Sequence, residues 1–151
     1  MSELISWSAD FSVGIPIIDE QHQELLTLVN EMFNHVAGDA QAERVYFKKV
    51  VQKAVDYVKV HFSVEEKILL DNNFPGYGEH KKAHDVFVMT IVEKVQDFEA
   101  GKPLTLLEFT QFLKEWILTH IAIMDKGYFT YFNQTAARKA DGALNIELAG
   151  Q

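Results

Sequence analysis

The chain has no cysteine. Disulfides and thiolate ligands are therefore excluded, and any metal must be held by nitrogen and oxygen. No apolar run approaches the roughly 18 residues needed to span a bilayer. Basic residues are in the minority, with 14 Lys and Arg against 22 Asp and Glu in 151 residues and a net charge of −8. That balance disfavours nucleic acid and anionic membranes, whose binding rests on Lys and Arg neutralising phosphate. The N-terminus (Met1 to Trp7) has neither the basic region nor the apolar core of a signal peptide, so a cytoplasmic location is expected. No segment alternates apolar and polar residues with period two for long enough to predict a sheet.

What the sequence does have is helical periodicity, over four long segments separated by short breaks. The first is predicted from about Asp19 to Val36, with Ile18, His22, Leu25, Val29, Met32 and Val36 on one face. The second runs from about Ala42 to Leu70, and its inner face reads Phe47, Val51, Ala54, Val58, His61, Glu65, Ile68. Asp71 to Gly78, dense in turn residues, breaks the pattern. The third runs from about Glu79 to Ala100 with His80, His84, Phe87, Ile91, Val95 and Phe98 aligned, and Gly101-Lys102-Pro103 ends it. Thr105 with Glu108 forms a capping-box pattern for the fourth, which carries Phe109, Phe112, Trp116, His120 and Ile123 and ends near Phe132. The expected fold is all-α: an up-down-up-down four-helix bundle over residues 1–132, with residues 1–18 as an extended N-terminal arm. Residues 133–151 read as a C-terminal tail.

Polar residues interrupt these apolar stripes where they should be most costly. His22, His61, Glu65, His80, His84, His120 and Asp125 all fall on inner faces or next to them. Burying so many polar groups is expensive unless something binds them. Residues four apart converge on one side of a helix, so His61 with Glu65 and His80 with His84 form two bidentate corners. His120 and Asp125 are five apart, nearly 140° around an ideal helix. Both reach one centre only if it extends across the helix face or the backbone widens. In an up-down bundle, His22 near the start of helix one, His61-Glu65 near the end of helix two, His80-His84 at the start of helix three and His120-Asp125 late in helix four all land at the same end. Seven ligands exceed the needs of one ordinary transition ion and suit two that share bridges. Imidazole with carboxylate favours iron, zinc, copper or manganese over calcium or magnesium. The Glu-x-x-His motif of carboxylate-rich di-iron bundles is absent. A histidine-rich, less negative ligand set favours reversible binding over oxidation of substrates.

These motifs, in this order and spacing, resemble the hemerythrin family and in particular its single-domain bacterial members. The resemblance covers roughly residues 5–132. It rests on the arm from Trp7 to Gly14-Ile15, on Ile18-Asp19-Glu20-Gln21-His22, on His61-x-x-x-Glu65 and His80-x-x-x-His84, and on His120-x-x-x-x-Asp125. It implies two iron ions, oxo- or hydroxo-bridged. His80, His84 and His120 would complete one, His22 and His61 would hold the other, and Glu65 and Asp125 would bridge them. The iron with two histidines keeps an open position, and the implied function is reversible O2 binding for storage, transport or delivery. An oxygen-consuming enzyme is a candidate recipient. The alternatives are an oxygen or redox sensor, for whose output domain 151 residues leave no room, and detoxification of peroxide or nitric oxide at the same site.

A site of this kind needs a dry pocket, whose expected walls are Phe62, Trp116, Ile117 and Ile121, with Leu25 and Leu26 as further candidates. No obvious acid or base falls in that shell, so a binding protein is expected rather than an enzyme. Glu66 points about 100° from Glu65 and is expected in solvent. Asp19, Glu20 and Asp85 either orient ligand histidines or form a solvated face. His35 is expected at the surface or capping a helix C-terminus.

Overall fold

The computed structural model describes residues 2–138, with side chains through Thr135. Four long helical arms alternate in direction. Helix α1 is Pro16–Asn34, α2 is Ala40–Asp71 and α3 is Tyr77–Glu99. The fourth arm is composite: α4 (Leu106–Thr119) passes through a six-residue π-helical stretch, His120–Asp125, into α5 (Lys126–Arg138). No strand occurs among the described residues. The all-α, up-down-up-down bundle is thus the fold of this chain.

Local chemistry explains where the helices begin. Pro16 occupies the first turn of α1, where a missing N–H costs nothing, so α1 starts three residues before the periodicity at Asp19 suggests. Asp39 caps α2 by accepting from the backbone N–H groups of Gln41 and Ala42. Thr105 and Glu108 form the expected reciprocal capping box on α4. His35 caps the C-terminus of α1, bonded from Nδ1 to the Glu31 carbonyl at 2.8 Å and stacked on Tyr46.

The fourth arm departs furthest from the sequence reading. It does not end near Phe132: with no Gly or Pro between Gly127 and Gly142 it continues to Arg138, so the expected tail begins inside a helix. Residues 139–151 of that tail lie outside the described residues. Ile123, placed on the inner face by a 3.6-residue period, is 66% exposed. The wider π turn rotates the chain, so that Asp125 and Tyr128 face inward instead.

Two apolar clusters fill the bundle. The larger runs through its length and includes Leu25, Val29, Met32, Phe47, Val58, Phe62, Phe87, Phe109, Leu113 and Ile117. The smaller lies at the end formed by the start of α1, the end of α2 and the start of α5, and joins Val13, Ile15, Ile18, Ile68, Leu69, Tyr128 and Phe132. The N-terminal arm spans both. Asn30 grips it through the backbone of Leu4 and Ile5, and a single turn of 3-10 helix follows at Ala9–Phe11. Asp19 then accepts from Ser12 Oγ at 2.6 Å and from Val13 N–H at 2.8 Å. Lys126 donates to the Ser12 carbonyl, so the arm is fastened to both the first and the last helix.

Gly14 carries the sharp bend in this strap. Its φ is +72°, and a Cβ there would sit 2.6 Å from the Phe129 ring. Gly38 has a similar φ of +76° with nothing within 4 Å. Alanine at Gly38 is expected to cost about 1–2 kcal/mol, the left-handed penalty alone. Alanine at Gly14 should cost more by the contact with Phe129. Urea unfolding of the two variants measures the difference, and equal losses would mean that the arm does not pack on Phe129.

Candidate metal centre

Helix direction brings the seven singled-out residues together. His22 opens α1, His61 and Glu65 lie late in α2, His80 and His84 open α3, and His120 and Asp125 bound the π stretch. Every one is buried, none more than 3% exposed. They form a polar layer between the two apolar clusters.

The carboxylates divide the histidines into two sets. Glu65 Oε1 lies 2.6 Å from His80 Nε2 and 3.5 Å from His84 Nε2, while Oε2 lies 3.2 Å from His61 Nε2 and 3.5 Å from His22 Nε2. Asp125 repeats the arrangement, with Oδ1 at 3.0 Å from His80 Nε2 and 3.2 Å from His120 Nε2, and Oδ2 at 3.2 Å from His22 Nε2. Each carboxylate therefore turns one oxygen to two of the three rings His80, His84 and His120, and the other oxygen to the His22–His61 side. The five-residue spacing from His120 to Asp125 works because the π stretch closes i to i+5, which puts both residues on one side of the chain.

The donor atoms suit a cation. Both nitrogens of His22, Glu65 Oε2 and both oxygens of Asp125 are buried without a hydrogen bond, although acceptors and nitrogens stand about 3 Å apart. Short distances without hydrogen-bond alignment are what lone pairs aimed at a common third point produce. His84 Nε2 and His120 Nε2 face each other at 2.9 Å, a contact that needs a shared proton or a metal ion between lone pairs. Donor atoms of Glu65, His80, His84, His120 and Asp125 fall within 4.8 Å of one another, as do those of His22, His61 and Glu65. The buried cluster fits a non-haem metal site made of nitrogen and oxygen donors.

The outer edges of two rings are fixed by partners the sequence reading missed or misplaced. His61 Nδ1–H donates to Gln21 Oε1 at 2.7 Å, and His84 Nδ1–H donates to Glu66 Oε1 at 2.9 Å. Both bonds leave Nε2 as the donor atom toward the centre. Glu66 is thus not in solvent: its 100° offset from Glu65 aims it at the flank of α3, where it meets His84. Asp19 and Asp85 do not orient ligands, since Asp19 holds the arm and Asp85 pairs with Lys81. Glu20 is exposed and lines a groove between α1 and α2. Adjacency to His22 in sequence carried the signal for Gln21, and adjacency to Glu65 carried it for Glu66.

Aromatic rings cover the centre. Phe62 lies flat on His84, with centroids 3.7 Å apart and an angle of 3°, and Trp116 stacks on His120 at 4.4 Å and 12°. Phe62, Ile117, Ile121, Leu25 and Leu26 are all buried in the larger apolar cluster. Trp116 is only partly buried and also lines a cleft of about 440 Å³ between α3 and the fourth arm. Tyr128, fully buried, flanks His80 from the side of the smaller cluster. Burial first, and then Glu65 and Asp125, push its phenol well above the usual range and keep it neutral.

Comparison with known proteins agrees with this geometry. The hemerythrin HHE cation-binding domain model matches residues 13–132. The chain belongs to the hemerythrin family. Among its relatives, the bacteriohemerythrin of Stenotrophomonas maltophilia is 30% identical over 143 residues, covering 92% of this chain and 91% of that protein. The bacteriohemerythrin of Methylococcus capsulatus is 28% identical, covering 83% and 94%. A crystal structure of wild-type hemerythrin superposes with a TM-score of 0.73 at 26% identity, over 84% of this chain and 96% of that one. The hemerythrin match begins at Val13, where the arm meets Asp19, and ends at Phe132 in the smaller apolar cluster.

Charge balance in this hemerythrin domain shapes its behaviour without metal. Burial works against charge on His22 and His80, but Asp125 and Glu65 outweigh it and raise both to about 9. Burial likewise opposes ionisation of Glu65 and Asp125, yet the surrounding histidines hold both below the usual carboxylate range. His61 is lowered, chiefly by burial. A histidine raised by folding stabilises fully below its ordinary value of 6.5, and that contribution is lost as pH climbs through about 9. His61 acts in the opposite sense but only below about 6.5, and the carboxylates change only in acid, so neither cancels the effect in this window. Metal-free protein is expected to lose stability between pH 6.5 and 9, as followed by thermal unfolding at a series of pH values. A flat or rising profile over that range would contradict the ion pairing described.

Proposed function

We propose that this chain binds O2 reversibly at a di-iron centre held by His22, His61, Glu65, His80, His84, His120 and Asp125. The observation that carries the reading is the unequal division of five histidines by two carboxylates, three on one side and two on the other. Two sets of donors at that spacing suit two ions joined by Glu65 and Asp125, with the His22–His61 side one protein ligand short. Two iron ions held there would supply one electron each toward O2 and a Lewis-acidic site to receive it.

The rest of the chemistry belongs to the chain. Glu65 and Asp125 set the separation of the two donor sets and offset positive charge in a site of low dielectric. Gln21 and Glu66 lock the rings of His61 and His84 in one tautomer. Leu25, Leu26, Phe62, Ile117 and Ile121 exclude water and anions that would displace bound oxygen. Glu66 is engaged with the outer nitrogen of His84, and the Tyr128 phenol is held neutral, so neither is set up as a base toward a substrate. The protein accordingly acts as an oxygen store or carrier in the cytoplasm and not as an enzyme, with an oxygen-consuming enzyme as recipient.

Purified protein is expected to hold about two iron ions per chain and to cycle between colourless deoxygenated and coloured oxygenated forms in an anaerobic O2 titration. One equivalent of zinc, or no colour change with O2, would overturn the assignment. His61→Ala should abolish O2 binding while retaining helicity by circular dichroism. Rapid turnover of peroxide or nitric oxide by the iron-loaded protein would replace storage with detoxification.

A further inference from the structure

The two fixed rings are backed by chemically different partners. His84 has a carboxylate behind it, Glu66 at 2.9 Å, and His61 has a neutral amide, Gln21 at 2.7 Å. The two partners lie on different flanks of α2, with Gln21 contributed by α1 and Glu66 facing α3. Glu66 is largely withdrawn from water, its side chain 19% exposed, at the base of a groove lined by Lys59, Phe62, Ser63, Asp85 and Met89. A carboxylate accepting from one imidazole nitrogen strengthens the other nitrogen as a donor and stabilises positive charge beyond it. An amide carbonyl orients the ring equally well but brings no charge. The asymmetry runs in the same direction as the histidine count, since the carboxylate supports the set of three.

We propose that Glu66 is a positioning residue that makes the two halves of the centre unequal, so that the His80–His84–His120 half takes up a divalent ion first and more tightly. The neutral Gln21 leaves the His22–His61 half to fill second. The proposal rests on the metal reading above and adds an order of loading and a residue that sets it.

Trp116 supplies the reporter, because it stacks directly on His120 of the first half and reaches His61 of the second only through Phe62. The chain has two tryptophans, so Trp7→Phe leaves Trp116 as the only indole. In this background, cobalt(II), an open-shell quencher, is titrated anaerobically while total bound metal is followed by equilibrium dialysis. Quenching is expected to be complete with the first equivalent bound. Glu66→Gln retains a hydrogen-bond acceptor and removes the charge. It should weaken the quenching equivalent about tenfold, within the range for loss of an outer partner, and leave the other unchanged. Gln21→Glu should tighten the second, non-quenching equivalent and leave the first unchanged. If Glu66→Gln shifts the quenching affinity less than twofold, or weakens both equivalents alike, the inference fails while the metal reading stands. If the Trp7→Phe chain binds no cobalt at all, the metal reading itself fails. Should Glu66→Gln not fold, Gln21→Glu still decides, since no tightening of the second equivalent would overturn the proposal.

Discussion

Two carboxylates buried among five imidazoles are the constraint on which the rest of this structure depends. Glu65 and Asp125 are at most 1% exposed, and an isolated carboxylate in such surroundings would give up its charge rather than stay ionised. They remain charged because histidines from all four helical arms converge on them. That convergence needs the antiparallel order of the helices, since ligands near the start of α1 and α3 meet ligands near the end of α2 and of the fourth arm only if alternate helices reverse. It also needs a closed end. The smaller apolar cluster and the arm held by Asp19, Asn30 and Lys126 provide one.

The π stretch shows the same constraint acting on the backbone. A regular helix through His120 would carry Asp125 away from the centre and Ile123 into it. The observed backbone does the reverse, exposing Ile123 and burying Asp125 and Tyr128. Wide turns of this kind are rare and tend to occur at functional sites, where the surroundings override regular geometry. Here the override has an identifiable source, because Asp125 is, among the described residues, the one of the fourth arm that presents oxygens to both histidine sets.

Legibility in the sequence followed the strength of the periodicity. The four arms, their order and the inner faces of α2 and α3 were readable because long amphipathic stripes and cap residues such as Thr105 point to one arrangement. The seven polar residues stood out for the reason that makes them costly, as charged or polar groups at core positions. Partners one position away from a ligand were harder. Glu66 reads as solvent-facing because a helical wheel ignores the neighbouring helix, and α3 passes where the wheel points. Gln21 lies in a segment of recognised pattern, but only the distance to His61 reveals its part. Asp19 was legible as polar and close to His22, yet its carboxylate serves the arm, a tertiary contact that no spacing rule contains. The extension of α5 past Phe132 was hidden because nothing in the sequence marks an end there.

Charge bookkeeping across the layer links the folded metal-free protein to the loaded one. With His22 and His80 raised to about 9 by the nearby acids, two imidazolium ions face the carboxylates of Glu65 and Asp125 near neutrality, before any metal arrives. Metal ligation requires neutral imidazole, so a metal held by His22 and His80 would be bound in exchange for the protons those rings carry. The same exchange explains why outer partners matter. Gln21 and Glu66 fix two Nε2 atoms as lone-pair donors in advance, and those two rings lie in different histidine sets. Each histidine set therefore holds one ring whose Nε2 is turned toward the centre by a partner on its outer edge.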